Sequence, residues 1–334
     1  MTSGVAAVLG LVLADAAFGR EISFYGTLAI GPYLASAGST VPRTAAVSGL
    51  AVAAAALLAW YNDDSSAEAT VRIIALALAS ALSLFVARQR IQRERRLADV
   101  TAVAVVAQHA LLRPAPAQVK NWGFAARYEA TTEFGVGGDL YDVSLHPDGS
   151  ILVLVADVQG KGLHAVRTAA EVLAAFRRAV FSAPTLADLG EHLDEAVSVA
   201  TDDEGFVTAV VCRFSAGGRV EVANFGHPPP MLVKATGVVP LEPSSYQTPL
   251  GLKPSVTVEA ITLLPGERLL IFTDGLTEAR NTAREFLGVD PLFSCKVSQD
   301  ASDCLDELVE TAKRHTGSSL RDDLTLLAAT LLNE

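Results

Sequence analysis

The first 87 residues of this 334-residue chain contain three long stretches without a charged side chain: Ile22 to Pro42, Thr44 to Tyr61 and Ile73 to Ala87. A shorter uncharged stretch, Thr2 to Ala14, opens the chain, and Asp15 interrupts its continuation to Gly19. A helix that crosses a bilayer needs roughly 20 mostly apolar residues, because the hydrocarbon core is about 30 Å thick. In chain order the second and third runs meet that length. The fourth does if Thr70 to Arg72 are included, and the first is marginal. A secretory signal would have a basic segment before its apolar run and would not be followed by three more runs. The pattern predicts an all-α transmembrane bundle of about four helices over residues 1–87. A buried, alanine-rich helical domain is the alternative. Asp15 is expected near a membrane interface or packed within the bundle; a polar functional site is the sharper alternative.

Flanking charge sets the orientation. The last run passes directly into RQRIQRERR, Arg88 to Arg96, a basic cluster that belongs on the cytoplasmic side, while the preceding loop NDDSSAEAT has no basic residue. Four spans then leave both termini in the cytoplasm, which predicts a multi-pass protein of the cell membrane with its C-terminal domain cytoplasmic. Residues 88–116 read as a helical linker that ends at Pro114 and Pro116. Leu97, Ala104 and Leu111 recur every seven residues, with Val100 and Ala107 between them, an a/d stripe of roughly two heptads. Two readings fit equally: an amphipathic helix lying on its own domain, or a short parallel coiled coil that makes a homodimer.

Net charge separates the parts: −2 over residues 1–87, +4 over 88–113 and −13 beyond. So acidic a domain excludes nucleic acid as a partner, because binding there rests on phosphate neutralisation by Lys and Arg. It suits divalent cations if some carboxylates converge; a solvated acidic surface accounts for most of the charge. Cys212, Cys295 and Cys304 form no CxxC pair and no zinc spacing, and so sparse a set fits a reducing compartment.

From residue 117 the pattern becomes short apolar strands with tight links such as PDG (147–149) and SAGG (215–218), and helical runs near 163–181, 185–200 and 302–315. Hairpin links and few alternating helices predict an α+β domain over 117–334, an antiparallel β-sandwich flanked by helices. Aspartates mark the strand ends. Asp157 closes ILVLVA, Asp274 closes RLLIFT, Asp322 and Asp323 open LTLLAATLL, and Asp139 follows the glycine-rich FGVGG. Rigid strand ends hold carboxylates closely, and gathered carboxylates repel unless hard cations such as Mg²⁺ or Mn²⁺ neutralise them. A pair of such ions activates water and clamps a phosphoryl oxygen. Any one of these aspartates alone reads equally as a turn former.

Seven segments occur in one order: GGDLYDV (137–143), DVQGKG (157–162), FVTA (206–209), NFGHPPP (224–230), PLGL (249–252), PGERLLIFTDGLTEARN (265–281) and DDLTL (322–326). Over about residues 120–332 the chain resembles the PPM (protein phosphatase 2C-like) metal-dependent phosphatases, in the SpoIIE/RsbU branch. The resemblance implies a β-sandwich with a two-metal site holding two Mn²⁺ or Mg²⁺ ions. By motif, Asp139 and Asp157 match the bridging carboxylates, with the Val158 carbonyl a further ligand. Asp274 and Asp322 match the terminal ligands, and Asp323 occupies the neighbouring place. The implied reaction is hydrolysis of phosphoserine or phosphothreonine by metal-activated water, with Asp139, Asp157, Asp274 and Asp322 as the catalytic set. The implied partner is a phosphoprotein substrate, often an anti-sigma-factor antagonist. Ala156 stands where the family often has Gly, a position that is not a ligand. The other class of function is a non-catalytic signalling scaffold that kept the fold and binds a phosphoprotein; the complete aspartate set favours the enzyme.

His227 is a candidate for substrate orientation or proton transfer, against a role in holding its turn. Asn224 and Thr208 are expected to support the site or the fold, and Thr273 and Thr277 to serve the strand and turn. Lys161 in QGKGL is not a P-loop lysine, because Val155 and Gly162 occupy places that need Gly and Ser or Thr. The glycines before Asp139 read as a turn that lets backbone crowd the site. Strand alternation puts Asp142 on the face opposite Tyr141 and Val143, and its role stays open.

Overall fold

The computed structural model describes residues 2–18, 25–62, 67–130, 137–201, 205–317, 320 and 322–333; at 18, 25 and 97–111 it describes backbone only. The chain divides into two compact units, Met1–Val100 and Thr101–Glu334.

The N-terminal unit is helical: α1 (Thr2–Phe18), a 3₁₀ turn (Tyr25–Ala29), α2 (Ile30–Gly38), α3 (Val41–Tyr61) and the start of α4 (Ala67–Leu111). Two helical segments are long and apolar enough to cross a membrane, Val41–Tyr61 and Ala67–Arg96. The run from Ile22 to Pro42, expected as one span, is instead broken into the 3₁₀ turn and a nine-residue α2. Pro32 suits a first helical turn and would remove a hydrogen bond inside a longer helix, so the α-helix starts just before it. At five 3₁₀ and nine α-helical residues the pair is about 24 Å long, short of the hydrocarbon core. The helices pack closely through small residues: a Cβ on Gly31 would overlap the Val8 side chain. Asp15 is buried and accepts a hydrogen bond from Asn62 Nδ2 at 3.0 Å, which places it packed within the bundle. The heptad stripe of the linker falls on α4 residues whose side chains lie outside the described set.

The C-terminal unit begins with β1 (Gln118–Val119), β2 (Trp122–Glu129), β3 (Asp139–Leu145) and β4 (Ile151–Val158), followed by α5 (Leu163–Ala179) and α6 (Leu186–Ala200). Next come β5 (Val207–Phe214), β6 (Arg219–Phe225), β7 (Met231–Lys234), β8 (Gly237–Pro240), β9 (Glu259–Thr262) and β10 (Arg268–Phe272). A single turn α7 (Asp274–Thr277), α8 (Ala301–Thr316) and β11 (Leu324–Leu331) complete it. The strands form two antiparallel sheets, β1-β2-β11-β10-β7-β8 and β3-β4-β5-β6-β9. This is the expected α+β sandwich.

Period-two alternation sorts the side chains. In β4, Val153 and Val155 face the other sheet and pack with Ile271 and Leu327, whereas Leu152, Leu154 and Ala156 face α5 and α6. The outer face of the first sheet, with Leu270, Phe272 and Leu326, is covered by Leu305 and Leu308 of α8. Helix starts are fixed locally: Thr185 and Asp188 form a reciprocal capping box on α6, and Asp300 caps α8.

The same alternation settles Asp142. It sits on the outer face of β3, buried, where Arg177 Nε of α5 donates to it at 2.7 Å and Ser144 Oγ at 2.6 Å. Asp142 therefore ties α5 to the sheet and faces away from the inter-sheet side that Asp139 shares with Tyr141. Arg177→Met should destabilise the fold by about 2–3 kcal/mol, because it strands a buried carboxylate. Urea denaturation measures this; a loss under about 0.5 kcal/mol, the range of ordinary surface changes, would show that the pair contributes little.

Cys295 and Cys304, expected as reduced thiols, are joined in a disulfide with Cα atoms 5.9 Å apart. The segment before α8 folds back on that helix, a proximity that their nine-residue separation does not reveal. Cys212 is a buried free thiol.

Candidate metal centre

Asp139 is the first residue of β3 and Asp157 the next-to-last of β4, and the two are register partners. Both share the inward parity of their strands, Asp139 with Tyr141 and Asp157 with Val155, so two carboxylates face the inter-sheet space side by side. The first sheet supplies the rest. Its inward positions Thr273, just after β10, and Thr325, in β11, lead to Asp274 and to Asp322–Asp323. Thr273 Oγ1 donates to Asp139 Oδ2 at 2.6 Å and accepts from the Thr325 amide at 2.9 Å, bridging the two sheets.

Two glycines make the close approach feasible. A Cβ on Gly137 would overlap the Asp323 carboxylate outright. One on Gly138 would lie 2.5 Å from the Val158 carbonyl oxygen and 3.1 Å from Asp157 Oδ1. The space a side chain would fill is therefore occupied by oxygen donors. The earlier part of the glycine-rich stretch, residues 131–136, lies outside the described residues.

Electrostatics follow from this crowding. Burial, then the charges of Asp157 and Asp323, hold Asp139 well above the ordinary carboxylate range, opposed by the Thr273 hydroxyl. Burial, then Asp274 and Asp322, push Asp157 up to about 7. Burial, then Asp322 and Glu278, raise Asp274. Lys161 Nζ lies 2.9 Å from Asp322 Oδ1 and partly neutralises this side. Among the described residues no three acidic, His or Cys side chains close on one point as a finished cage. The donor set nevertheless fits hard divalent ions: all oxygen, rigidly based, and electrostatically unfavourable when ionised alone.

The sign of the pH effect is fixed by these shifts. A carboxyl raised in the folded state contributes stability below its unfolded pKa and loses it as pH rises through the folded value. For Asp157 that window runs from about 4 to about 7. Metal-free protein should therefore lose melting temperature, relative to Asp157→Asn, as pH is raised from 5 to 8. Parallel melting curves for the two proteins across that range would refute the assignment.

Asp139, Asp157, Asp274, Asp322 and Asp323 all reach this region, whereas Asp142 faces α5 and His227 is held within its turn. It is buried, its Nδ1 lies 3.0 Å from Thr208 Oγ1, and its backbone N–H and carbonyl are bracketed by the Asn224 amide. Burial lowers its pKa to about 4, so the ring is neutral. Thr208 is in turn the register partner of Asp157. Two contributors were not legible as such. The Thr273 bond to Asp139 spans 134 residues, and Lys161 shows its partner only once Asp322 is placed.

Known proteins share this arrangement of strands. The chain belongs to the Stage II sporulation protein E (SpoIIE) family, whose model matches residues 147–332. Protein IcfG of Synechocystis sp. is 24% identical over 247 residues, covering 63% of this chain and 38% of that protein. This chain thus spans about two fifths of that curated relative. The RsbU and RsbW domains of Rv1364c from Mycobacterium tuberculosis align at 26% identity and a TM-score of 0.54, over 63% of this chain and 60% of that one. The SiaA-PP2C domain of Pseudomonas aeruginosa aligns with a TM-score of 0.62 at 19% identity, over 71% of this chain and 98% of that domain. The fold is that of the PP2C phosphatases.

Proposed function

We propose that this chain is a membrane-tethered, metal-dependent protein serine/threonine phosphatase. The observation that carries the reading is the Asp139–Asp157 register pair, facing the sheet that presents Asp274, Asp322 and Asp323. Asp139, Asp157, Asp274 and Asp322 are the residues that would hold two Mn²⁺ or Mg²⁺ ions, with Asp323 and the Val158 carbonyl alongside. Bound there, such ions supply activated water at neutral pH and neutralise phosphoryl charge. The chain's own part is to pre-position oxygen donors, which Thr273 does for Asp139, and to release Asp322 from Lys161. The substrate is phosphoserine or phosphothreonine on a regulatory protein, with an anti-sigma-factor antagonist the class that the family resemblance implies.

The division proposed is the one read from the sequence: membrane region 1–87, helical linker 88–116 and phosphatase domain 117–334. The two long apolar helices support tethering, with the catalytic domain on the cytoplasmic side where the arginine cluster exits. Pairing through the linker helix into a homodimer is the arrangement that its heptad spacing suits. Full-length protein in detergent, given Mn²⁺ and a phosphoserine-bearing protein, should release phosphate, and chelation should stop it. Absence of metal-dependent release would leave a phosphoprotein-binding scaffold as the function.

A further inference from the structure

We propose that the corner joining α2 to α3, together with the arginine-rich turns of α4, is a binding site for the phosphate headgroup of an anionic glycerophospholipid. The inference rests on the membrane tethering proposed above. Residues 38–43 and 88–95 enclose a cleft of about 730 Å³, lined by Arg43, Arg88, Arg90 and Arg95 against a single carboxylate, Glu94. Four guanidinium groups facing one acid leave a net charge of +3 around the cleft.

The arginines divide by role. Arg90 builds the site: its Nη1 donates to the Ala37 carbonyl at 2.9 Å and its Nη2 to the Ser39 carbonyl at 2.7 Å, with Glu94 3.6 Å away. It thereby clips the end of α2 to α4 and spends its own charge on those carbonyls and on Glu94. Arg43, Arg88 and Arg95 are exposed, and among the described residues they make no hydrogen bond or ion pair. Arg88 and Arg95 lie seven residues apart, two turns along one face of the helix. The 21-residue α3 starts in the same cleft, and its N-cap, Thr40, makes no side-chain capping bond. Uncapped amides and the positive end of that helix dipole add to the attraction for an anion.

Position selects a lipid over free phosphate. The uncharged stretch of α3 begins at Thr44, directly after Arg43, and that of α4 ends at Ala87, so both stop at the cleft. Leu78, Leu82 and Phe85 are exposed along α4 immediately before Arg88 and offer a track for acyl chains below a bound headgroup. Basic pockets at the cytoplasmic end of membrane helices attract anionic headgroups by about 1 kcal/mol per arginine, or roughly five-fold in affinity.

The test uses full-length protein in neutral detergent, with its melting temperature followed against added phosphatidylglycerol, phosphatidylcholine, glycerol phosphate or inorganic phosphate. Phosphatidylglycerol alone should raise the midpoint. Arg43→Gln, Arg88→Gln and Arg95→Gln should each raise its half-saturating concentration about five-fold, and the triple variant should lose the preference. Arg88→Lys with Arg95→Lys should keep most of it, which separates charge from damage to the fold. Equal shifts with phosphatidylcholine, or wild-type behaviour in the triple variant, would overturn the site. An equal shift with inorganic phosphate would overturn the lipid assignment. Alkaline extraction of vesicles separates the premises. Release of the protein overturns tethering and this site together, and retention without phosphatidylglycerol preference overturns the site alone.

Discussion

Asp157→Asn is expected to lower metal-dependent phosphate release by more than about 100-fold while raising the melting temperature of the metal-free protein. Loss of a hydrogen-bonding partner behind a metal ligand typically costs 10–100-fold, and removal of a ligand charge exceeds that. The stabilising half follows from the same geometry. Asp157 is register partner to Asp139 and feels Asp274 and Asp322, so its ionised form is disfavoured by its neighbours. Asparagine keeps the shape and removes that repulsion, as commonly found where function is built at the expense of stability. Steady-state phosphate release and scanning fluorimetry, each with Mn²⁺ and with chelator, measure both halves. Wild-type turnover in Asp157→Asn would remove this residue from the centre.

Gly137→Ala should be comparably damaging although it changes no ligand. Its new methyl would occupy the place of the Asp323 carboxylate. Either Asp323 or the strand end that carries Asp139 must then move, and a metal site tolerates little displacement. The expected result is a 10–100-fold rise in the Mn²⁺ concentration for half-maximal activity. A titration of activity against Mn²⁺ separates the outcomes, and unchanged metal demand in Gly137→Ala would show that the loop yields freely.

The sandwich was legible because short apolar strands are joined by tight hairpin links. Alternation put Asp142 on the face opposite Tyr141 and Val143, but which face of the apolar β4 meets the other sheet became visible only in the packing of Val153 and Val155 with Ile271 and Leu327. The four aspartate positions were legible because each ends or opens an apolar strand. What the sequence could not reveal depends on distant chain segments meeting. Thr273 reaches Asp139 only when the sheets pack, Cys295 meets Cys304 only because the intervening segment folds back, and Lys161 finds Asp322 across the sandwich edge. The apolar run from Ile22 to Pro42 misled for a local reason. Composition counted its residues as one span, whereas Pro32 set where the α-helix begins and left two short pieces.

The placement of the aspartates has a mechanical consequence. Asp139 and Asp157 belong to one hairpin of the second sheet, while Asp274 and Asp322 flank neighbouring strands of the first. An ion shared among them would act as a rivet through the edge of the sandwich, where the Thr273–Asp139 bond is a lighter stitch between the same two sheets. Chelation would then do more than stop turnover. It would free one edge of the molecule to gape, and proteases should find the ends of β3 and β11 before any other strand.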